Sequence, residues 1–206
     1  MCIRDEPMRS SPFTHLCLAG ALLLLSGCVS LSTYQSPRVL DPGESHLGAG
    51  VMLGAGGAGV GEFAVLGRRG VAEGFDLGAK VWGVPPFLGI YGDVRSQLQT
   101  EPFLVSGTLG ASFFSVRQTV DGEETGTSTT ALYPAVLIGS DRLFAGARWT
   151  QLFGSAGDLE ERYGLGFPGV ILGASFGSRV SVAPEVNVHF GDDVLVLPGA
   201  ALIYRF

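Results

Sequence analysis

The chain has 206 residues, of which 46% are hydrophobic and only 16% charged, against about 25% charged in a typical soluble domain. A net charge of −6 and a single lysine, Lys80, argue against a nucleic-acid binder. The apolar content argues against disorder, and the 32 glycines follow no three-residue period, which excludes collagen.

The amino terminus has the pattern of a targeting segment. Arg4 and Arg9 give a positive start, offset by Asp5 and Glu6, and Met8 is an alternative initiator to Met1. Leu16 to Leu25 is a ten-residue apolar run, too short for a bilayer helix of about 20 residues but suited to the core of a signal peptide. Leu25-Ser26-Gly27-Cys28 follows at once and resembles the lipobox of bacterial lipoproteins. That resemblance implies a signal peptide over 1–27, cleavage before Cys28, and acylation of Cys28 by the lipoprotein processing enzymes. Cys17 leaves with the signal peptide, so neither a disulfide nor a cysteine metal site is expected. Val29 is not the aspartate that retains such lipoproteins at the inner membrane, so the resemblance favours the outer membrane of a Gram-negative bacterium. From Val29 to Ser45 the chain is polar, broken by Pro37 and Pro42, and without period. We read 28–45 as a lipidated tether.

After the tether the hydrophobic period becomes two. Leu47, Ala49, Val51 and Leu53 alternate with Gly48, Gly50, Met52 and Gly54, and Phe75, Leu77, Ala79 and Val81 with Asp76, Gly78, Lys80 and Trp82. Phe103, Val105, Leu109, Ala111 and Phe113 share one face of the next long run. Leu143, Ala145, Ala147 and Trp149 alternate with Phe144, Gly146, Arg148 and Thr150, and the Val180–Phe190 run alternates in the same way. This is strand periodicity over 46–206, with no amphipathic helix. Breakers divide it into about ten strands, with eight or twelve as alternatives: 46–55, 59–68, 73–83, 87–97, 102–116, 129–140, 142–150, 163–176, 179–190 and 194–206. Pro134, Pro168 and Pro184 fall inside these strands and mark bulges or breaks.

The second face is mostly Gly, Ser, Thr and Ala with isolated charges. That is a poor soluble surface but a good crowded barrel interior, so the expected fold is an all-β, up-and-down antiparallel transmembrane barrel with its apolar face outward. Ala200, Leu202, Tyr204 and Phe206 alternate to a final phenylalanine. This resembles the last strand of Gram-negative outer-membrane barrels, which implies that Tyr204 and Phe206 are read by the barrel insertion machinery. The longest loops are expected at Arg117–Thr130 and Gln151–Tyr163, facing outward, with short periplasmic links at Asp141 and Gly177-Ser178.

Chemistry-bearing motifs are weak. Gly54 to Gly59 matches G-x-G-x-x-G, with Asp76 some twenty residues on, but a strand follows where a dinucleotide site needs a helix. Gly173-Ala174-Ser175-Phe176-Gly177 matches G-x-S-x-G, with Glu185 and His189 in hydrolase order, but a tight turn into another strand follows. Asp192 and Asp193 beside His189 suggest the acid and histidine pairs of outer-membrane barrel proteases, a family longer than this chain and with long outer strands that it lacks. His46 has no obvious partner, and two distant histidines do not make a metal site. Asp121, Glu123, Glu124, Asp158, Glu160 and Glu161 offer a loop site for divalent ions or, more simply, solvated charge. Trp82 and Trp149 are interface anchors or lumen packing.

Strand parity places Glu62, Asp76, Lys80, Asp93, Arg95, Arg148 and Glu185 on the inner face. We expect them to form an ion-pair network that plugs the lumen, with Arg148 and Arg95 as hubs. The expected protein is a lipid-anchored outer-membrane barrel with a structural or binding role. It has no catalytic residue, metal or other cofactor, and its partners are outer-membrane lipids and the processing and insertion machineries, with no nucleic acid and no protein partner identified. The alternatives are an outer-membrane hydrolase acting near His189, Asp192 and Asp193, and a soluble periplasmic ligand-binding barrel hung from its lipid.

Overall fold

The computed structural model describes residues 32–54, 60–84, 87–120, 123–156 and 162–206. The strands follow in chain order: β1 (Ser45–Leu53), β2 (Val60–Ala72), β3 (Phe75–Val84), β4 (Phe87–Gln99), β5 (Leu104–Val120), β6 (Glu123–Gly139), β7 (Leu143–Ala156), β8 (Arg162–Ala174), β9 (Val180–Phe190) and β10 (Val194–Arg205). Phe176–Gly177 resumes the line of β8 beyond Ser175 and pairs with β9. Each strand is antiparallel to the next, and β10 pairs with both β9 and β1, so ten strands close into a barrel. The seam ends in a reciprocal rung in which Ser45 and Phe206 exchange two backbone hydrogen bonds of 2.9 Å.

One end of the barrel, the terminal end, holds Ser45, Phe206 and the turns before β3, β5, β7 and β9. The opposite strand termini, at Leu53, Val60, Val84, Phe87, Val120, Glu123, Ala156, Arg162, Phe190 and Val194, mark the far end. In the β2–β3 hairpin Gly74 has φ +72°, a left-handed conformation open to glycine at no steric cost. Ser140 holds the β6–β7 turn, where its Oγ accepts the Arg142 and Leu143 amides at 3.2 and 3.1 Å.

Two of the expected loops are shorter than the sequence suggests. β5 runs on to Val120, β6 starts at Glu123, and β7 reaches Ala156, so each of the β5–β6 strands has 17 residues. The chain therefore has long strands at the far end, contrary to expectation. The added stretches of β5 and β6 are polar yet hold several threonines, and β-branched residues fit a pleated strand whatever their polarity. The prolines are tolerated because each meets a gap in a neighbouring ladder. The β6–β7 pairing lapses between Leu132 and Ala135, around Pro134. The β8–β9 pairing begins at Gly169, just past Pro168, and lapses between Val182 and Glu185, around Pro184. The β10–β1 pairing stops at Gly199, beside Pro198.

The alternation resolves with apolar side chains outward on every strand. Leu47, Val65, Leu77, Ile90, Leu109, Val136, Leu172, Val182 and Val196 are exposed. Phe75, Phe103, Phe176, Tyr204 and Phe206 stand exposed near the terminal end, and Phe63, Phe113, Phe153 and Phe190 toward the far end. Trp149 faces out, whereas Trp82 is buried in the lumen and stacks on Phe114 at 5.5 Å.

Candidate functional site: the occupied lumen

All seven residues assigned to the inner face are buried, and so is Arg68. Near the terminal end Arg68 bridges two carboxylates, with one guanidinium nitrogen on Asp76 and another on Asp93. Arg95 grips Asp76 from the other side, Nη2 to Oδ2 at 2.6 Å and Nε to Oδ1 at 3.2 Å. Arg68 thus links two acids, as a guanidinium fork can. It has the parity of Glu62 on β2 and is the last residue of the expected 59–68 strand, so parity alone could have found it.

Higher in the barrel Lys80 spends its three donors on the Ser32 carbonyl at 2.8 Å, the Ser32 hydroxyl at 2.7 Å and Glu62 at 3.2 Å. Arg148 donates to Asn187 at 3.2 Å and to His189 Nε2 at 3.0 Å, and lies over the Tyr133 ring. Asn187 passes the contact on to Glu185 at 2.7 Å.

Residues 32–44 occupy the space these side chains surround. Glu185 accepts the backbone amides of Thr33 and Tyr34, each at 2.7 Å, and the Thr33 hydroxyl. Ser32 donates to Glu62 at 2.5 Å, and Arg95 donates to the Ser36 carbonyl. The Val39 amide donates to Gln97 at 3.1 Å and the Leu40 amide to Asp76 at 2.9 Å. Gly43 then bonds the Gly70 carbonyl at 3.0 Å before the chain enters β1. Tyr34, 1% exposed, has φ 51°, and its ring packs where a Cβ on Gly50 would stand 2.8 Å from it. The segment read as a tether is therefore a lumenal strand without a sheet. Charged side chains satisfy its backbone groups, which leaves no hydrophobic period to read.

The remaining candidates are dispersed. Beyond Gly54 the glycine-rich motif lies outside the described residues, and a strand, β2, follows it. The Ser175 amide is tied to the Arg142 carbonyl at 2.9 Å, whereas His189 pairs across from Gly169. Six residues of β8 separate those levels, about 20 Å, so Ser175, Glu185 and His189 do not form a triad. His189 is buried beside Arg148 with its ring edge-on to Phe167, while Asp192 and Asp193 are exposed in the β9–β10 turn. His46, for which the sequence offers no partner, lies 3.2 Å from Glu44. Cys28 and the loop acids Asp121, Asp158, Glu160 and Glu161 lie outside the described residues, as do the side chains of Glu123 and Glu124. Among the described residues no three His, Cys, Asp or Glu side chains gather as a metal site.

No protein-family model matches the chain, and no curated protein sequence matches it significantly.

Proposed function

We propose that the protein is a lipid-anchored outer-membrane barrel that serves a structural or binding role, with its lumen closed by its own N-terminal segment. The observation that carries this reading is the polarity of the barrel. Its ionic network faces inward, and its outer wall is an aliphatic band bordered by aromatic residues at both ends. Water solvates such a wall poorly, whereas lipid covers it without cost. Strand β9 has 11 residues, about 25 Å along the axis at ~3.3 Å per residue and ~40° tilt, the height of the apolar band in membrane barrels. Aromatic side chains at the two borders suit the headgroup level. The lipobox at Cys28 supports the anchor, and the terminal Phe206 supports delivery to the insertion machinery.

The test separates the anchor from the barrel. Cys28→Ser should abolish metabolic fatty-acid labelling. The same variant, exported by an ordinary cleavable signal peptide, should still fractionate with outer membranes, resist carbonate extraction and require detergent for release. Recovery as a water-soluble periplasmic protein would instead overturn the membrane barrel in favour of the soluble one.

A further inference from the structure

We infer that the N-terminal segment is threaded through the barrel, so that Cys28 emerges at the far end, opposite the rim where β1 begins. With the short turns facing the periplasm, as in bacterial barrels, the acyl chains of Cys28 would then lie in the outer leaflet. The segment would stitch the two faces of the membrane together. This inference rests on the proposed acylation of Cys28 and the proposed membrane barrel.

The direction of residues 32–44 carries the argument. On β2 the segment touches Glu62 through Ser32 and Gly70 through Gly43. Glu62 is the third residue of that strand and Gly70 the eleventh, about 26 Å apart along it. The segment thus spans most of the lumen, and its earlier end lies at the far side. Cys28 is four residues before Ser32, a reach of about 13 Å in extended chain. From Glu62 to the first residue of β2, Val60, is only about 7 Å, so Cys28 can pass the rim.

Little room is left for a return toward the terminal end beside the described segment. The cavity beside Tyr34, Arg68 and Arg95 measures about 40 Å³, and the one beside Thr33, Tyr91 and Tyr133 about 10 Å³. Each is room for about one to three water molecules, not for a second peptide strand. Glu185, Asp76, Lys80 and Arg95 along the path are already engaged by residues 32–40. Assembly need not pull a lipid through a closed pore. The segment is continuous with β1, and the β1–β10 seam joins the first strand to the last, so the sheet can wrap around the segment before the seam shuts.

The experiment places one epitope in three full-length chains: between Val29 and Ser30, between Asp121 and Gly122, and after Ser178. Antibody binding to intact cells is compared with binding after permeabilisation, and a heat-dependent gel shift checks folding of each chain. The 29/30 epitope should behave as the 121/122 epitope does, with full binding on intact cells, while the 178 epitope stays at background until permeabilisation. Should the 29/30 epitope follow the 178 epitope, the thread is overturned. A substitution that adds no chain, Ser30→Cys, supplies a second reading with an impermeant maleimide: it should share its side with Gly126→Cys and not with Gly177→Cys. Loss of fatty-acid labelling specificity for Cys28 would remove the lipid yet leave this sidedness measurable. A water-soluble chain would instead remove the membrane barrel.

Discussion

Arg68 is the residue on which the lower lumen depends. Both Asp76 and Asp93 are fully screened from water, and Arg68 bonds each. Asp76 keeps Arg95 if Arg68 is lost, but Asp93 is left without its cation. Breaking a buried pair at one partner costs about 3–5 kcal/mol, mostly as the penalty of the orphaned charge. Denaturant unfolding of Arg68→Met in detergent should therefore show a loss of about that size. Adding Asp93→Leu should recover part of it, because the orphan is removed. A single-variant loss of under ~1 kcal/mol, the value of an exposed pair, would mean that the pair is hydrated.

At the scale of strands, the glycines act as seats for large lumenal side chains on the neighbouring strand. Trp82 pairs across from Gly89, Phe144 from Gly173 and His189 from Gly169. A Cβ on Gly173 would stand 2.1 Å from the Phe144 ring, and one on Gly89 would stand 2.5 Å from Trp82. Gly173→Ala should cost about 1–3 kcal/mol by overpacking, and Phe144→Leu in the same chain should restore much of it, as read from the two melting temperatures. The lumenal segment is an element of the same kind, held by side chains instead of a ladder. Glu185 receives two of its amides and one hydroxyl. Glu185→Leu should accelerate hydrogen exchange at Thr33 and Tyr34 at least tenfold while the β9–β10 amides stay protected, since a lost charged acceptor is worth about 1.5–3 kcal/mol.

For the whole molecule, closure is the property that matters. A ten-stranded barrel is slightly wider than the eight-stranded kind that side chains alone can fill, and here a peptide supplies the difference. The full chain should show little steady conductance in planar bilayers. Removal of residues 32–40 should open a stable channel without unfolding the wall. Glu62, Asp76, Asp93 and Glu185 would then line it against Arg68, Lys80, Arg95 and Arg148, an even balance that predicts weak charge selectivity. A closed lumen in that deletion would show that side-chain packing suffices as the plug. Deletion of Phe206 removes the last rung of the seam, so it should lower the temperature at which the unboiled gel form is lost.

The barrel was legible in the sequence because a strand wall with two unlike faces writes itself as a period of two. Val180–Phe190 shows this directly: its valines and Phe190 face out, while Ser181, Ala183, Glu185, Asn187 and His189 face in. The same parity, carried to the last residue of the expected 59–68 strand, would also have revealed Arg68. Strand ends in polar, threonine-rich stretches were not legible, because hydrophobic patterning is silent where both faces are polar. The tenancy of the lumen was decided by tertiary structure alone. Residues 32–44 bond to Glu62, Asp76, Arg95 and Glu185 from four different strands, and no local pattern encodes a partner that closure brings from 150 residues away. Parity determined which charges enter the barrel, and only the packed lumen determined that they meet a peptide there as well as one another.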